Sequence, residues 1–285
     1  MNDGKWGSEN LSRLLIKHQR DYMDKGLESK SSPEFDKVFY NTWIHHRMHI
    51  LSLIPEECRK PKTRVVDLGG GKGRIAALLS ELDLECTLVD TLYEDNSTVN
   101  VLGQPLLSSI ASYLKGKGVC IIPQDFYQNG IPLPNEAAEL VIFSEVIEHL
   151  PNSPKPVLAE IWRILVPGGW LIITTPNVAS MGNRKRALLG QSCREDIDVY
   201  YKMEDYPLGS VYRGHNREFT RNEVGYMLKQ EKFDIVKSRT FDYRGPDFNH
   251  GRLKRTLSGI TNSIRFAPKR ISSNLCNFIG ILARK

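Results

Sequence analysis

The chain has 285 residues, of which 40% are apolar and 25% charged, as in a globular protein that buries a sizeable core. Its longest apolar stretches are too short to cross a bilayer, its polar N-terminus predicts no signal peptide, and 22 glycines and 15 prolines exclude a collagen-like or low-complexity chain. Five widely spaced cysteines without a C-x-x-C pair argue against a disulfide framework or a cysteine zinc site, so we expect a cytoplasmic protein.

The net charge of +6 is concentrated at one end of the chain. Residues 251–285 contain eight Lys and Arg and no acid, so residues 1–250 carry a net charge of −2. This basic tail is either a solvated face or a surface that contacts an anionic partner at the periphery of the protein. The acidic balance of the remainder, which also lacks a recognised RNA-binding motif, disfavours a nucleic-acid partner.

The first 60 residues have the apolar spacing of helices. Apolar side chains recur every three or four residues at 11–15 and again at 35–50. Residues 31–34, with a proline near the first turn, supply a start signal for the second helix. We therefore predict an N-terminal helical cap over residues 1–60, followed by one domain over residues 61–285.

Short β-branched runs then alternate with helical segments. The predicted strands are Thr63–Leu68, Cys86–Asp90, Val119–Gln124, Leu140–Ser144, Trp170–Thr175, Phe233–Thr240 and Leu275–Ala283. The helices predicted between them include Ile75–Leu82, Leu106–Leu114 and Pro154–Leu165. This alternation predicts a doubly wound α/β fold with a seven-stranded, mostly parallel sheet. Residues 178–214 and 245–272 interrupt the rhythm and are predicted to be insertions.

Three alternate glycines, Gly69, Gly71 and Gly73, follow the first strand directly. Glycine permits a sharp turn and lets a ligand lie against the main chain, and the helix that begins near Gly73 turns its N–H groups towards that ligand. The spacing departs from the dinucleotide fingerprint, and no G-K-[ST] follows, which excludes a P-loop. Asp67, two residues before the first glycine, suits a cofactor that carries an ammonium group and no phosphate.

This loop resembles the first motif of class I S-adenosylmethionine-dependent methyltransferases, D/E-x-G-x-G-x-G, and the resemblance extends over roughly residues 60–240. Asp90 ends the second strand, where the family's acid binds the ribose hydroxyls, and Asp125 follows the third, where the family carries an acid beside the adenine. Residues 140–145 match the fourth-strand motif, and residues 165–173 match the turn before strand five. The resemblance implies S-adenosylmethionine as cofactor and a Rossmann-like fold. The implied binding residues are Asp67, Gly69, Gly71, Gly73, Asp90, Asp125, Phe126 and Ser144.

Two acids and a histidine follow the fourth strand. Glu145, Glu148 and His149 form an E-x-x-E-H pattern at the edge of the sheet where open α/β folds bind ligands. On a helix these side chains would share one face, and two carboxylates and an imidazole can bind a divalent cation. The alternative interpretation is that Glu148 and His149 cap helices and hydrogen-bond loops.

A histidine further along the chain extends this pattern. His215 stands just before residues 220–223, which have the spacing of a capping box and predict a helix start. The combination resembles the small-RNA 3′-end 2′-O-methyltransferases and the ubiquinone-biosynthesis type of O-methyltransferases, with their relatives that act on sugars and secondary metabolites. The resemblance implies a site for Mg²⁺ or another divalent cation made of Glu145, Glu148, His149 and His215. His149, His215 or Glu145 would take the proton of an acceptor hydroxyl.

Three further histidines, His45, His46 and His49, cluster in the predicted cap. His45 and His49 are one helical turn apart, a spacing that allows metal binding. The alternative is that the cluster lines a helix face over the site or lies at the surface.

These patterns together predict an S-adenosylmethionine-dependent O-methyltransferase. We expect it to act on a hydroxyl of a small molecule, such as a sugar, a glycan precursor or a secondary metabolite, with assistance from a metal. The chain has no N-P-P-Y or D-P-P-Y after strand four, a pattern of amino-group and base methylation. Two alternatives stay open: a small-RNA 2′-O-methyltransferase, and a non-catalytic methyltransferase-like subunit, against which the intact glycine loop argues. The sequence does not indicate an oligomeric state.

Overall fold

A computed structural model describes residues 3–25, 27, 44–91, 106–193, 197, 201, 214–242 and 274–285. The strands are β1 Arg64–Leu68, β2 Glu85–Asp90, β3 Cys120–Pro123, β4 Ala138–Ser144, β5 Leu165–Pro176, β6 Asp234–Phe241 and β7 Phe278–Arg284. The helices are α1 Asp3–Trp6, α2 Ser8–Asp24, α3 over residues 44–51, α4 Arg74–Glu81, α5 Leu106–Gly116, α6 Phe126–Asn129, α7 Lys155–Ile164, α8 Met181–Leu188 and α9 Arg221–Gln230. Short 3₁₀ turns lie at Glu56–Cys58 and Ile147–His149.

The seven strands form one sheet in the order β3-β2-β1-β4-β5-β7-β6. Neighbours among the first five strands of that order are parallel, and β7 is antiparallel to both β5 and β6. The predicted doubly wound, mostly parallel α/β fold is therefore confirmed. The chain winds outward from β1 to β3 and then returns to place β4 on the other side of β1. Ligands of such sheets bind at this reversal, beyond the carboxyl ends of β1 and β4.

Helices cover both faces of the sheet, and the central strand β4 has apolar side chains on both faces to pack against them. Residues 140–143 of β4 form an unbroken apolar run and are fully buried, as in strands with helices on both sides. Because successive side chains point to opposite faces, Leu140 and Ile142 join a core with α2 to α5, whereas Val141 and Phe143 join a core with α6, α7 and α9. The N-terminal helices therefore pack directly on one face of the sheet.

The turn predicted at residues 167–169 lies inside a strand. β5 begins at Leu165, which pairs with Ala138, and the next pair joins Trp170 to Leu140. The extra residues of β5 form a bulge, and Gly168 within it has a φ of 75°, which glycine adopts without strain. The strand predicted over residues 170–175 is therefore longer than its apolar pattern.

Several predicted features fall on residues outside the described part of the chain. The helix start at residues 31–34, the insertion at 245–272 and most of 194–213 lie there, whereas the beginning of the insertion at 178–214 forms α8. Six of the eight basic residues of the tail also lie outside. The other two end β7: the guanidinium of Arg284 lies 5.1 Å over the ring of Trp170, and Lys285 Nζ donates to the carbonyl of Leu165 at 2.6 Å.

None of the described helices combines the length and the apolar character that a membrane span requires.

Candidate active site

The glycine loop leaves β1 beneath the N-terminus of α4. Gly69, Gly71 and Gly73 have φ values between 55° and 72°. A Cβ atom at Gly71 would meet no atom within 4 Å, so the loop opens to a ligand at this residue. A Cβ at Gly70 would lie only 2.3 Å from Asp67 Oδ2, which places the carboxylate of Asp67 directly under the loop.

Asp67 is a buried carboxyl group with one weak partner. It is 2% exposed, and its Oδ2 accepts a hydrogen bond from Ala76 N at 3.3 Å. Burial, with a smaller contribution from the charge of Asp90, raises the pKa of Asp67 to about 7. An ammonium group placed against this carboxyl would favour its ionised form and reverse the shift.

Asp90 ends β2 and supports the loop from the other side. Its Oδ2 accepts a hydrogen bond from Gly71 N at 2.8 Å, and the side chain is buried. A carboxylate has two oxygens and can accept several hydrogen bonds, so this contact is compatible with the predicted recognition of ribose.

Asp125 and Phe126, predicted beside the adenine, have structural partners. Asp125 caps α6: its Oδ1 accepts from Tyr127 N at 3.0 Å and from Gln128 N at 3.1 Å. Phe126 is buried and packs edge-on against Phe143, with ring centres 6.4 Å apart. Their contact with a cofactor stays a prediction.

A cluster of polar side chains from the N-terminal helices lies over the glycine loop. Arg47 Nη1 and Arg74 Nη1 approach the same acceptor, Gln19 Oε1, at 3.4 and 3.3 Å. Arg47 and Gln19 are both buried, and Gln19 Nε2 has no hydrogen-bond partner among the described residues. Tyr22 ties this cluster to the loop, because its hydroxyl donates to the carbonyl of Lys72 at 2.7 Å. Two guanidinium groups and an unsatisfied amide can together hold a carboxylate.

The carboxyl end of β4 carries the next group. Ser144 Oγ lies 2.7 Å from Thr174 Oγ1, which bridges β4 and β5. Glu145 follows with a φ of 55°, and its N–H donates to the carbonyl of Thr174 at 2.9 Å. A left-handed conformation costs a non-glycine residue about 1–2 kcal/mol, and such residues concentrate at functional sites. Glu145 Oε1 lies 3.3 Å from Nε2 of the buried His46.

Residues 144–150 do not form an α-helix, so the face predicted for the E-x-x-E-H pattern does not exist. Glu145 is left-handed, and only Ile147–His149 form a single 3₁₀ turn. As a result, Glu148 and His149 converge with His215 so that one ligand atom from each lies within 4.8 Å of the others. Glu145 is outside this trio, although its charge adds to the shift of the Glu148 pKa and its side chain lines the same cavity.

Each histidine of the trio is held through Nδ1. His149 Nδ1 lies 3.1 Å from the carbonyl oxygen of Gly214, and His215 Nδ1 lies 2.9 Å from Glu218 Oε1. A carbonyl and a carboxylate accept hydrogen bonds, so Nδ1 donates in both contacts, and in the neutral ring Nε2 then carries the lone pair. Metal-binding histidines are oriented in this way by an acceptor behind the ring.

Backbone contacts fix the loop of His215 against the 3₁₀ turn. The N–H groups of Asn216 and Arg217 donate to the carbonyl of Glu148 at 2.8 and 3.2 Å, and Asn216 Nδ2 donates to the carbonyl of His149 at 2.9 Å. These hydrogen bonds fix residues 216–217 relative to residues 148–149, although the two segments are more than 60 residues apart in the chain.

Glu148 is the least satisfied member of the trio. It is 1% exposed, and its Oε2 accepts from Thr175 Oγ1 at 3.0 Å, whereas Oε1 is buried and has no hydrogen-bond partner among the described residues. Burial, followed by the charge of Glu145, raises the pKa of Glu148 well above its ordinary value. An orphaned buried oxygen costs about 1–3 kcal/mol, a cost that a bound cation would remove. The residues present therefore fit a divalent cation.

The trio faces a cavity of about 450 Å³, a volume that suits a small ligand. Its remaining walls come from the residue after β4, the end of β5, the start of α8, the segment before α9 and the start of β7. They are Glu145, Pro176, Asn177, Ser180, Asn183, Glu218, Asn277 and Phe278.

Comparison with known proteins decides the family. A family model described as a methyltransferase domain matches residues 41–238, which is more than half of the chain. The chain belongs to the methyltransferase-domain family. No curated protein matches the sequence of this methyltransferase significantly.

Two solved structures share the fold of this methyltransferase. The alignment with an S-adenosylmethionine-dependent methyltransferase from Archaeoglobus fulgidus spans 86% of this chain and 94% of the archaeal chain, with 18% identity and a TM-score of 0.51. The alignment with a methyltransferase of the same description from Mesorhizobium loti spans 83% of this chain and 96% of that chain, with 16% identity and a TM-score of 0.51. The family model therefore makes the chain a methyltransferase, and the two structures show that it shares their fold.

The site of this methyltransferase also contains residues that sequence reasoning missed. Gln19 and Arg47 gave no periodic or motif signal, and Glu218 is the partner of His215. The i, i+3 spacing of His215 and Glu218 was the one local signal. Of the histidine cluster in the cap, His46 lies 3.3 Å from Glu145, which lines the cavity, whereas His49 stacks on Phe241 at 4.4 Å.

Proposed function

We propose that this methyltransferase transfers the methyl group to a hydroxyl oxygen of a small polar acceptor, a sugar, glycan precursor or secondary metabolite, with the help of a divalent cation. The observation that carries the proposal is the trio of Glu148, His149 and His215, which lines the cavity beyond β4 and includes a buried carboxylate oxygen of Glu148 with no hydrogen-bond partner among the described residues. One carboxylate and two imidazoles suit Mn²⁺ and similar transition metals, whereas Mg²⁺, which prefers oxygen ligands, would take more of its ligands from water and the acceptor.

The residues divide the work of such a reaction between two sides of the cavity. Glu148, His149 and His215 would hold the cation, which when bound lowers the pKa of a coordinated hydroxyl. Glu145 lines the same cavity outside the trio and is placed to accept the hydroxyl proton as the oxygen forms its bond to the methyl carbon and the carbon–sulfur bond breaks. The sulfonium methyl is already activated, so the main task of the chain is to align oxygen, carbon and sulfur.

The charge of the cavity favours a small neutral acceptor over RNA. Glu145, Glu148 and Glu218 all line it. Three ionised carboxylates outweigh the charge of one bound divalent cation, so the cavity stays negative and disfavours the phosphates of an RNA end. A vicinal diol or a catechol carries no such charge and offers two adjacent oxygens to one ion.

Metal binding can be measured without knowing the acceptor. We expect one Mn²⁺ per chain by paramagnetic resonance in the presence of S-adenosylhomocysteine. Glu148→Gln and His215→Ala should each weaken Mn²⁺ binding about tenfold or more, the range typical of losing a ligand or its orienting partner. His49→Leu serves as the control, because His49 stacks on Phe241 outside the trio. Equal Mn²⁺ affinity in all four proteins would refute the metal site.

The acceptor class is tested by labelled methyl transfer to a panel of catechols, vicinal-diol sugars, primary amines and an oligoribonucleotide with a free 3′ end. We expect methylation of a diol or catechol, its loss in EDTA and its return with Mg²⁺ or Mn²⁺. Methylation of the oligoribonucleotide alone would favour the small-RNA enzyme. Full activity in EDTA would instead make His149 or His215 a direct general base.

A further inference from the structure

The N-terminal helix α3 contributes a buried side chain to the end of β4. His46 is 1% exposed, and its Nε2 lies 3.3 Å from Glu145 Oε1 and 3.3 Å from Thr174 Oγ1. Thr174 Oγ1 is in turn 2.7 Å from Ser144 Oγ. The imidazole therefore lies beside the carboxyl end of β4, next to Glu145, which lines the acceptor cavity.

Aromatic rings hold His46 in this place. The ring of Phe241, at the end of β6, lies 5.7 Å from the imidazole, and the ring of Phe278, at the start of β7, lies 6.0 Å away. Phe278 also lines the cavity. Because both rings belong to the sheet, the imidazole has a fixed orientation relative to β4 and β5.

Glu145 needs such a support. Its left-handed backbone, with a φ of 55°, is unfavourable for a residue with a side chain and persists only where its surroundings hold it. The N–H of Glu145 is fixed by the carbonyl of Thr174, and His46 Nε2 lies 3.3 Å from Oε1, a buried carboxylate oxygen with no well-aligned hydrogen bond among the described residues. Burial lowers the pKa of His46 to about 3, so the ring is neutral near pH 7 and does not cancel the charge of the carboxylate.

We infer that His46 is a positioning residue that holds the carboxylate of Glu145 towards the acceptor cavity, so that the N-terminal cap forms part of the active site. This inference rests on the proposed O-methyl transfer, in which Glu145 accepts the hydroxyl proton. His46 itself touches neither the acceptor nor the cofactor in this role.

The contact is tested first by a double-mutant cycle on unfolding, which needs no acceptor. His46→Leu and Glu145→Gln are measured singly and together by denaturant titration. If the two side chains interact, the midpoint shift of the double variant differs from the sum of the single shifts. Additive shifts would overturn the inference. His49→Leu, on the same helix and against the same Phe241 ring, is the matched control and should be additive with Glu145→Gln.

The role is tested by kinetics with the acceptor that the panel identifies. His46→Leu should lower kcat about 10- to 100-fold while KM for S-adenosylmethionine stays within about twofold, because the lost contact serves proton transfer and not cofactor binding. His46→Gln, which can place an amide nitrogen near the position of Nε2, should restore most of kcat. In the Glu145→Gln background, His46→Leu should have no further effect.

Two kinetic results would overturn the inference. One is an undiminished kcat in His46→Leu, and the other is a fall in kcat that the glutamine variant fails to restore and that adds fully to Glu145→Gln. If the panel yields only an amine acceptor, the proposed function fails, and the unfolding cycle still decides whether His46 holds Glu145.

Discussion

Replacing Arg47 by methionine should weaken the binding of S-adenosylhomocysteine about 10- to 100-fold. Arg47 Nη1 and Arg74 Nη1 approach the same acceptor, Gln19 Oε1, over the glycine loop, so two guanidinium groups lie close together there. The cofactor's amino-acid end carries a carboxylate that matches this cluster and an ammonium that matches Asp67. We therefore expect the carboxylate to bind Gln19, Arg47 and Arg74.

The magnitude follows from burial. Arg47 is 9% exposed, so water screens its charge little, and a charge-assisted hydrogen bond in such a place is worth about 1.5–3 kcal/mol. Each 1.4 kcal/mol corresponds to about tenfold in affinity. Arg74 is more exposed, so Arg74→Met should cost less than Arg47→Met.

Calorimetry with two ligands isolates the carboxylate. S-adenosylhomocysteine carries it, and the decarboxylated analogue keeps the amino group alone. Arg47→Met should weaken only the first, and Arg47→Lys should retain part of the affinity. Arg59→Met is the control, since Arg59 packs over Trp6 in the same cap, with its guanidinium 5.4 Å from the ring. An equal loss for both ligands would refute the reasoning and make Arg47 a packing residue.

Two further substitutions test the loop and the site's scaffold. Gly71→Val should abolish detectable S-adenosylhomocysteine binding, because the valine side chain would enter the open space over the loop. Gly190→Val is the control, because Gly190 also has a positive φ and open space around it but lies after α8. This variant should leave the binding measured by calorimetry unchanged. Thr220→Ala removes a complete capping box at α9 and should lower the free energy of unfolding by about 1 kcal/mol in denaturant titration, whereas Thr220→Ser should keep it.

The strands of the sheet could be predicted because each has a local sequence pattern. The apolar run of β4 and the alternation of strands and helices indicate parallel crossovers, and the glycine spacing after β1 indicates a ligand loop. The bulge that extends β5 was not predictable, since it depends on pairing Leu165 with Ala138. The position of β7 between β5 and β6, antiparallel to both, could not be predicted either, because no local pattern encodes it.

The site was predictable only where a motif is contiguous. Glu145, Glu148 and His149 are close in sequence, but the left-handed backbone of Glu145 breaks the helix that would have put them on one face. His46 and Thr174 are 128 residues apart and meet only through packing of α3 on the sheet. The histidine cluster could be predicted to line a helix face over the site, but no spacing rule pairs His46 with Thr174, so a single sequence cannot indicate this contact.

The raised pKa of Asp67 predicts that ligand binding is coupled to the release of a proton. Its carboxyl has a pKa of about 7 in the empty site, against about 3.9 in an unfolded chain, so the folded state binds the proton more tightly. Its contribution to stability is therefore fully present below about pH 4 and is lost as the pH rises towards 7. An ammonium at Asp67 requires the ionised carboxyl, so binding below pH 7 must release a proton. The affinity for S-adenosylhomocysteine should then rise about tenfold per pH unit between pH 5 and 6.5 and level off above 7.

Calorimetry in buffers of different ionisation enthalpy measures this release directly, because the heat of the buffer adds to the heat of binding in proportion to the protons transferred. Close to one proton should leave per ligand at pH 6, and almost none at pH 8. Asp67→Asn keeps the shape of the side chain, removes the titrating group and should bind weakly with no such slope. If wild type and Asp67→Asn show the same pH dependence, the ammonium does not bind at Asp67, and the carboxyl beneath the glycine loop serves only to anchor α4 through Ala76.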